Sequence, residues 1–305
     1  MAETRHDIVP AALDDERIDR VVAMITEASR ARVRALIDGA HVSVGGTIVT
    51  KSAQRVRAGD EIVVELEEEV PAVMADATIE LTVVYEDGDV VVIDKPAGLV
   101  VHPGAGHRHD TLVSALLARY PEIARTGDAQ RPGIVHRLDK GTSGLMMVAL
   151  TSHAYESLVA QLSARTVTRS YRALVCGTLD QREGVIDAPI GRSSRAPTRM
   201  AVTPKGRGAR TRYVVEQRFV DPFAASLLSC RLETGRTHQI RVHLSAIGAP
   251  VLGDERYGGR RVQVPMARPW LHAAQLGFVH PTTQEQMEFE SALPGDLAAV
   301  LTQFS

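Results

Sequence analysis

The residues best suited to chemistry sit together between 136 and 140. His136-Arg137-Leu138-Asp139-Lys140 sets one carboxylate among two cations and an imidazole. An ionised carboxylate can take a proton or attack an electron-poor carbon. The same residues have a simpler use, in which Asp139 pairs with Arg137 or Lys140 to tie down a loop. Position makes Asp139 a candidate for chemistry, because it stands beside cations at the mouth of what reads as a buried strand.

That carboxylate needs a turn and a strand to carry it. Gly141-Thr142-Ser143-Gly144 supplies glycines where the chain must reverse. Residues 145–150 are a continuous apolar run, the length of a strand buried on both faces. Around it, strands are expected at 79–83, 90–93, 169–175, 211–219 and 225–232. One helix is expected to start at Asp110 or Thr111, with Val113, Leu116, Leu117 and Tyr120 inward. A second starts at Ser152, with Tyr155, Leu158, Val159 and Leu162 inward. A third starts at Thr237, with Ile240, Leu244 and Ile247 inward and Gly248 at its end. The last amphipathic helix is expected over 293–304.

Upstream, Ile18, Val21, Val22 and Ile25 follow the spacing of an amphipathic helix. Ser29 is a candidate N-cap for a second helix, with Val33, Leu36 and Ile37 on one face and Gly39 at its end. Gly45-Gly46 then joins two short strands, and another alternating run covers 62–66. Residues 1–13 lack periodicity and read as a disordered tail. Residues 67–77 read as an acidic linker.

At 305 residues the chain can hold two domains. It contains no apolar run of the ~20 residues a membrane span requires. Its first residues lack the apolar core of a signal peptide. Cys176 and Cys230 have no CxxC spacing, so neither a disulfide framework nor a zinc site is implied. These features fit a cytoplasmic protein. The net charge of −2 argues weakly against nucleic acid, for which a basic domain is expected. Distribution weakens that objection. Twelve of the 37 acidic residues fall between Asp60 and Asp94, a stretch without Lys or Arg, so all 35 bases lie elsewhere. Residues 192–212 hold seven bases and no acid, which suits a phosphate-contacting loop or hairpin, or a merely solvated basic one.

The string HRLDK-GTSGL, followed by apolar residues, closely resembles the central motif of the pseudouridine synthases of the large-ribosomal-subunit type. YEDGDVVVIDKPAGLVVHPG (residues 85–104) resembles that family's first motif, and TGRTHQIRVHL (234–244) its third. GDERYG (253–258) and LHA (271–273) resemble further family segments expected to support the sheet and the pocket wall. The fold implied is α+β, a mixed, mainly antiparallel sheet flanked by helices, over residues 76–305. The resemblance makes Asp139 the catalytic aspartate, Tyr171 the active-site tyrosine that stacks on uracil, and Arg241 the arginine paired with the aspartate. Arg137 would fill the space left by a flipped base, and Lys95 and Pro96 would shape the floor of the site. The family needs no metal, so His102, His107 and His109 are read as loop residues that meet RNA.

Residues 14–66, with RIDRVVA, SRARVRALIDGAHVSVGG and VRAGDEIVV as their recognisable pieces, resemble the small RNA-binding fold named after ribosomal protein S4. The implied RNA-binding domain with its linker is 14–75. Arg30, Arg32 and Arg34 would lie at the start of its second helix, where side chains and helix dipole both attract phosphate.

Together these resemblances imply an RNA uridine isomerase. Pseudouridine formation breaks the bond from uracil N1 to ribose, turns the base and rejoins it through C5. Nothing is gained or lost, so no cofactor is expected. Whether Asp139 would attack the sugar, add to uracil or take the 2′ proton is left open by the sequence. The VHPGAG segment and the N-terminal module point to the subtype acting on the helix 69 loop of 23S rRNA, with a monomeric enzyme meeting the large subunit or its precursor. The alternatives are the same chemistry on another rRNA site or on tRNA, and a non-catalytic RNA-binding assembly factor.

Overall fold

The computed structural model describes every residue except 1, 2, 29, 67–72, 103–109, 195, 197 and 262. Its chain divides into two units, Met1–Ala72 with Gly127–Ala129, and Val73–Thr126 with Gln130–Ser305.

The first unit contains β1 (Glu3–Ile8), α1 (Ile18–Thr26), α2 (Arg30–Asp38), β2 (Val42–Val44), β3 (Thr47–Ile48) and β4 (Glu61–Leu66). Its strands lie in the order β1-β4-β2-β3, all antiparallel. Ile18, Val21 and Val22 of α1 and Val33 and Ile37 of α2 bury against Val42, Ile62 and Val64. A helical period of 3.6 thus meets a strand period of two over one small core. Gly45 and Gly46 both have positive φ, 54° and 78°, as a two-residue hairpin turn of type I′ demands.

Residues 1–13 are not a loose tail throughout. Glu3–Ile8 pairs along the whole of Glu61–Leu66, and Val9 is buried in the unit's core. An edge strand needs only backbone donors and acceptors on its inner side, so the mixed polar string ETRHDI carries no alternation to betray it. Beyond α2, the left-handed residue is Ala40 (φ 62°) and not Gly39. Gly39 is needed for space, since a Cβ there would come within 2.8 Å of the His41 ring. Ser29, the expected N-cap, lies outside the described residues.

In the second unit come β5 (Val83–Glu86), β6 (Val90–Lys95), α3 (Leu112–Arg119), β9 (Ser143–Ala149), α4 (Ser152–Ala164), β10 (Thr168–Cys176), β11 (Glu183–Asp187), β12 (Ile190–Arg192), β13 (Met200–Val202), β14 (Arg210–Phe219), β15 (Ala225–Leu232), α5 (Gln239–Ala246), β16 (Leu271–Val279), β17 (Gln286–Glu290) and α6 (Gly295–Leu301). Two-residue pieces β7 (Gly127–Asp128) and β8 (Arg131–Pro132) precede β9. The main sheet runs β11-β14-β15-β10-β16-β9-β6-β5, with β17 paired to β16. Every pair is antiparallel except β9–β16, which gives the mixed, mainly antiparallel α+β fold.

The central strands are apolar on both faces. Val91 and Ile93 of β6 and Met146 and Val148 of β9 face one core, with α3 and α5. Val90, Val92, Leu145, Met147 and Ala149 face the other, with α4. Thr111 caps α3 by accepting the Ser114 N–H. Thr151 caps α4, accepting the Ala154 N–H, so the cap stands one residue before Ser152. α5 starts at Gln239, after His238 in a left-handed conformation (φ 57°) and without a side-chain cap. Thr237 is therefore not the cap, and Ile247, beyond the helix end, is 39% exposed. The first strand begins at Val83 rather than 79, and the last helix is shorter than 293–304 because it starts after Pro294.

Candidate active site

Asp139 sits in the turn that leads into β9, where its carbonyl accepts the Thr142 N–H at 3.0 Å. The glycine that matters here is Gly144, with φ +113°. β9 and β16 run side by side at this point, His272 opposite Ser143 and Ala273 opposite Gly144. A Cβ on Gly144 would lie 2.2 Å from the Ala273 carbonyl oxygen. Gly141 keeps negative φ and instead leaves room beside Pro269. Ser143 Oγ meets His272 Nδ1 at 3.0 Å, and Arg268 donates to Ser143 Oγ and to the Gly141 carbonyl, each at 3.2 Å. On the other side the Gly98 N–H donates to the Lys140 carbonyl at 2.7 Å. Lys95, fully buried, donates its ammonium to the carbonyls of Pro96 and Leu99. Lys95 thus fastens the floor turn from beneath. Burial pushes its pKa down to about 8, with Asp139 opposing the shift and Arg268 adding to it.

Arg241 is 9% exposed, on α5. Its Nη1 donates to Asp139 Oδ2 at 2.9 Å. Nε and Nη2 donate to the two oxygens of Asp254 at 2.6 and 3.0 Å. The guanidinium also lies 5.1 Å from the centre of the Tyr257 ring. Burial acts to lower the Arg241 pKa, but the two carboxylates outweigh it, and the net shift is upward. Asp254, 1% exposed, further accepts the N–H groups of Arg256 and Tyr257. A bidentate pair fixes the plane of the guanidinium and leaves one edge for Asp139.

His238 approaches the other carboxylate oxygen of Asp139, Nε2 to Oδ1 4.0 Å. Its Nδ1 meets the Tyr257 hydroxyl at 2.8 Å. That hydroxyl accepts the Met200 N–H; in the tautomer where it donates its own proton to Nδ1, Nε2–H faces Asp139. Burial holds His238 below the usual histidine range, Asp139 opposing and Arg241 reinforcing.

Asp139, Tyr171, Arg241, His238 and Arg137 all line one cleft of about 490 Å³. Tyr171 is buried on β10, and burial pushes its hydroxyl up to about 12, with Arg169 opposing and Asp139 adding. It is thus a neutral phenol at physiological pH. Arg137 is exposed at the rim, donating from Nη1 to His102 Nε2 at 3.0 Å.

The three residues expected to act together, Asp139, Tyr171 and Arg241, therefore line one cleft. Arg30, Arg32 and Arg34 lie on α2 of the first unit. Arg30 and Arg34 are exposed there, and Arg34 is 3.8 Å from Asp38. Sequence reading missed Asp254 and His238. Both fall inside segments singled out as motifs, but one-dimensional order does not tell which acid of GDERYG faces an arginine at least 13 residues away. Among the described residues no group of three or more His, Cys, Asp or Glu could hold a metal ion. His107 and His109 lie outside them. Nor, among them, is any helix long and apolar enough to cross a membrane.

A family model described as RNA pseudouridylate synthase matches residues 89–246, and one described as S4 domain matches 16–62. The chain is 49% identical to an uncharacterized RNA pseudouridine synthase of Chloroflexus aurantiacus, over 99% of this chain and 94% of that protein. It is 44% identical to the ribosomal large subunit pseudouridine synthase D of Pseudomonas aeruginosa, over 96% of this chain and 93% of that protein. Among solved structures, the human RNA pseudouridylate synthase domain containing 1 superposes with a TM-score of 0.58 at 30% identity. That match covers 74% of this chain and 88% of the human one.

Proposed function

Since the chain belongs to the RNA pseudouridylate synthase family and is an isomerase of RNA uridines, we propose that Asp139 is its catalytic carboxylate and that its substrate is 23S rRNA. The observation that carries this reading is the chain Asp254–Arg241–Asp139 on the wall of a cleft that also holds Tyr171. A guanidinium clamped through two of its nitrogens presents its third in a fixed direction. The carboxylate it holds is paired, aimed and only partly exposed, as suits a nucleophile or base.

In this reading a uridine flips out of the RNA, at a cost of a few kcal/mol. Arg137, exposed at the rim, takes its place in the stack. Tyr171 offers its ring face to the uracil, its hydroxyl remaining protonated. Asp139 attacks the ribose carbon, adds to uracil or takes the 2′ proton. Arg30, Arg32 and Arg34 of the S4 domain supply phosphate contacts. The relative from Pseudomonas aeruginosa is named for the large ribosomal subunit, which supports rRNA as the substrate class. The helix 69 loop is the target we favour, reached by a monomeric cytoplasmic enzyme without cofactor.

Two measurements test this. Asp139→Asn should abolish tritium release from 5-tritiated rRNA while RNA affinity stays within roughly threefold, because an amide keeps the shape and loses the charge. Turnover by that variant would refute the assignment. Mapping pseudouridines in rRNA from cells with and without the gene should show helix 69 positions lost; unchanged helix 69 with a loss elsewhere would move the target.

A further inference from the structure

The cleft holds a second polar cluster that the Asp254–Arg241–Asp139 chain does not use. Arg169, on β10, lines the cleft and is only 7% exposed. No hydrogen bond or ion pair joins its guanidinium to another group among the described residues, and its Nε is sealed from solvent. A buried guanidinium without a counter-charge is costly, and proteins rarely keep one without use. Tyr171 stands two residues on in the same strand, facing the same way.

His136 lines the cleft too. The Met147 N–H donates to its Nε2 at 3.1 Å. The proton of the neutral ring is therefore on Nδ1, which has no partner among the described residues and is sealed from solvent. Burial, with Arg169 adding, pushes this histidine down to about 3, so the ring is neutral at any working pH. A cationic donor, with a neutral ring near it that brings no counter-charge, thus stands with the phenol that faces the base.

An everted nucleotide enters such a cleft base first, because its phosphates stay in the strand that runs outside. A donor as buried as Arg169 therefore meets the base rather than the backbone. Intact uracil is neutral, but the reaction does not leave it so. When the C1′–N1 bond breaks, its electron pair leaves with uracil, and the negative charge spreads over N1, O2 and O4. In the two routes in which Asp139 works on the sugar, C1′ gains either an oxygen of Asp139 or, when Asp139 takes the 2′ proton, a double bond to C2′. On rejoining, C5 supplies the pair to C1′, the C5 proton is lost, N1 gains a proton, and any 2′ proton returns. Atoms and charge balance, and the base is an anion only in between.

We propose that the guanidinium of Arg169 binds a carbonyl oxygen of the uracil and takes up the negative charge the base gains on leaving the ribose. Arg169 is then a second catalytic residue. This rests on the reading that the cleft isomerises uridine. Donors fixed in advance and strongest towards the charged intermediate raise the rate of the chemical step more than the affinity for substrate.

The test uses the full chain and an rRNA fragment that the wild type modifies, in single-turnover assays beside separate binding and thermal-unfolding measurements. Arg169→Met should slow the chemical step by about 10²–10³-fold while Kd stays within about threefold. The same variant should raise Tm, since it removes a charge that the free protein buries unpaired. Arg169→Lys, which keeps the charge, should recover about tenfold or more of the lost rate. An unchanged rate for Arg169→Met would overturn the assignment. So would a weaker Kd whose log–log salt slope falls by about one, the mark of a phosphate contact. A lowered Tm with rate loss matching the unfolded fraction would make Arg169 structural and also overturn it. Wild-type enzyme without turnover on any rRNA would remove the uridine reading and this inference with it, whereas an active wild type with an inactive Asp139→Asn leaves that reading standing whatever Arg169 does.

Discussion

Asp254 never touches substrate in this reading, yet it decides where Arg241 points. Two of the three guanidinium nitrogens are spent on it. In Asp254→Asn the amide can accept at one atom only, and a buried cation loses its bidentate partner. The expected result is a fall in kcat of roughly 10–100-fold with KM little changed, as for other residues that orient a functional group. A loss of stability on the order of 3 kcal/mol should accompany it, because a buried pair has been broken from one side. Steady-state kinetics and urea unfolding read the two separately, and unchanged kcat would show that Asp139 alone aims Arg241. His136 gives a second residue-scale outcome. Its pKa is about 3 in the folded protein, against 6.5 for a histidine in water. Between those values the unfolded chain binds a proton that the fold refuses. Stability from this group is complete above pH 6.5 and drains away as pH falls towards 3, by up to about 1.4 kcal/mol per pH unit. His136→Asn, whose amide oxygen can still accept the Met147 N–H, should unfold with a shallower acid slope than wild type by about one proton. Equal slopes would mean that the ring titrates freely in the fold. At this scale the sequence was legible where a residue type is rare for its setting, as for Asp139 among cations. It was illegible where partners meet only in three dimensions, as Asp254 and His238 do.

Elements were legible by period and by turn chemistry. The apolar run after Gly144 reads as a doubly buried strand, and Ser143–Ala149 is buried at every position. Ends were harder, because a cap is a matter of one backbone angle. Thr151 and Ser152 both offer a hydroxyl, and only the extended conformation of Thr151 makes it the cap. Edge strands were hardest, since β1 joins the sheet through its backbone ladder to β4 and shows no apolar alternation. Glycines show the same division. Gly45 and Gly144 both have positive φ, but only Gly144 faces backbone across a strand pair. Gly45→Ala should cost about 1–2 kcal/mol, the left-handed penalty by itself. Gly144→Ala must also separate β9 from β16 next to Asp139. Its expected cost is larger, roughly 3 kcal/mol or more, with turnover lost even where the protein remains folded. Denaturant melts of the two variants compare them directly, and equal penalties would mean that the β9–β16 approach tolerates a methyl group.

The molecule as a whole carries two kinds of work in two units with separate cores. Every buried apolar residue of the first unit's cluster lies between Val9 and Val64. The clusters of the second unit begin at Val73 and share no residue with it. Asp139, Tyr171, Arg169, Arg241 and Asp254 all belong to the second unit, and Arg30, Arg32 and Arg34 to the first. A chain restricted to Val73–Ser305 should therefore unfold cooperatively on its own. Its chemical step at saturating RNA should stay within about threefold of the full chain, since no acid, base or donor of the site has been removed. Affinity should fall instead, and the dependence of log Kd on log salt should become shallower by about one for each phosphate the first unit had neutralised. Arg30, Arg32 and Arg34 set the scale, so replacing these three with Gln in the full chain should reproduce most of that change in slope. If the truncated chain bound as tightly as the full one, the basic helix α2 would be a solvated face and the first unit would serve something other than RNA. If it bound weakly and also lost its chemical step at saturation, the first unit would be needed to complete the cleft, and separate cores would not mean separate tasks.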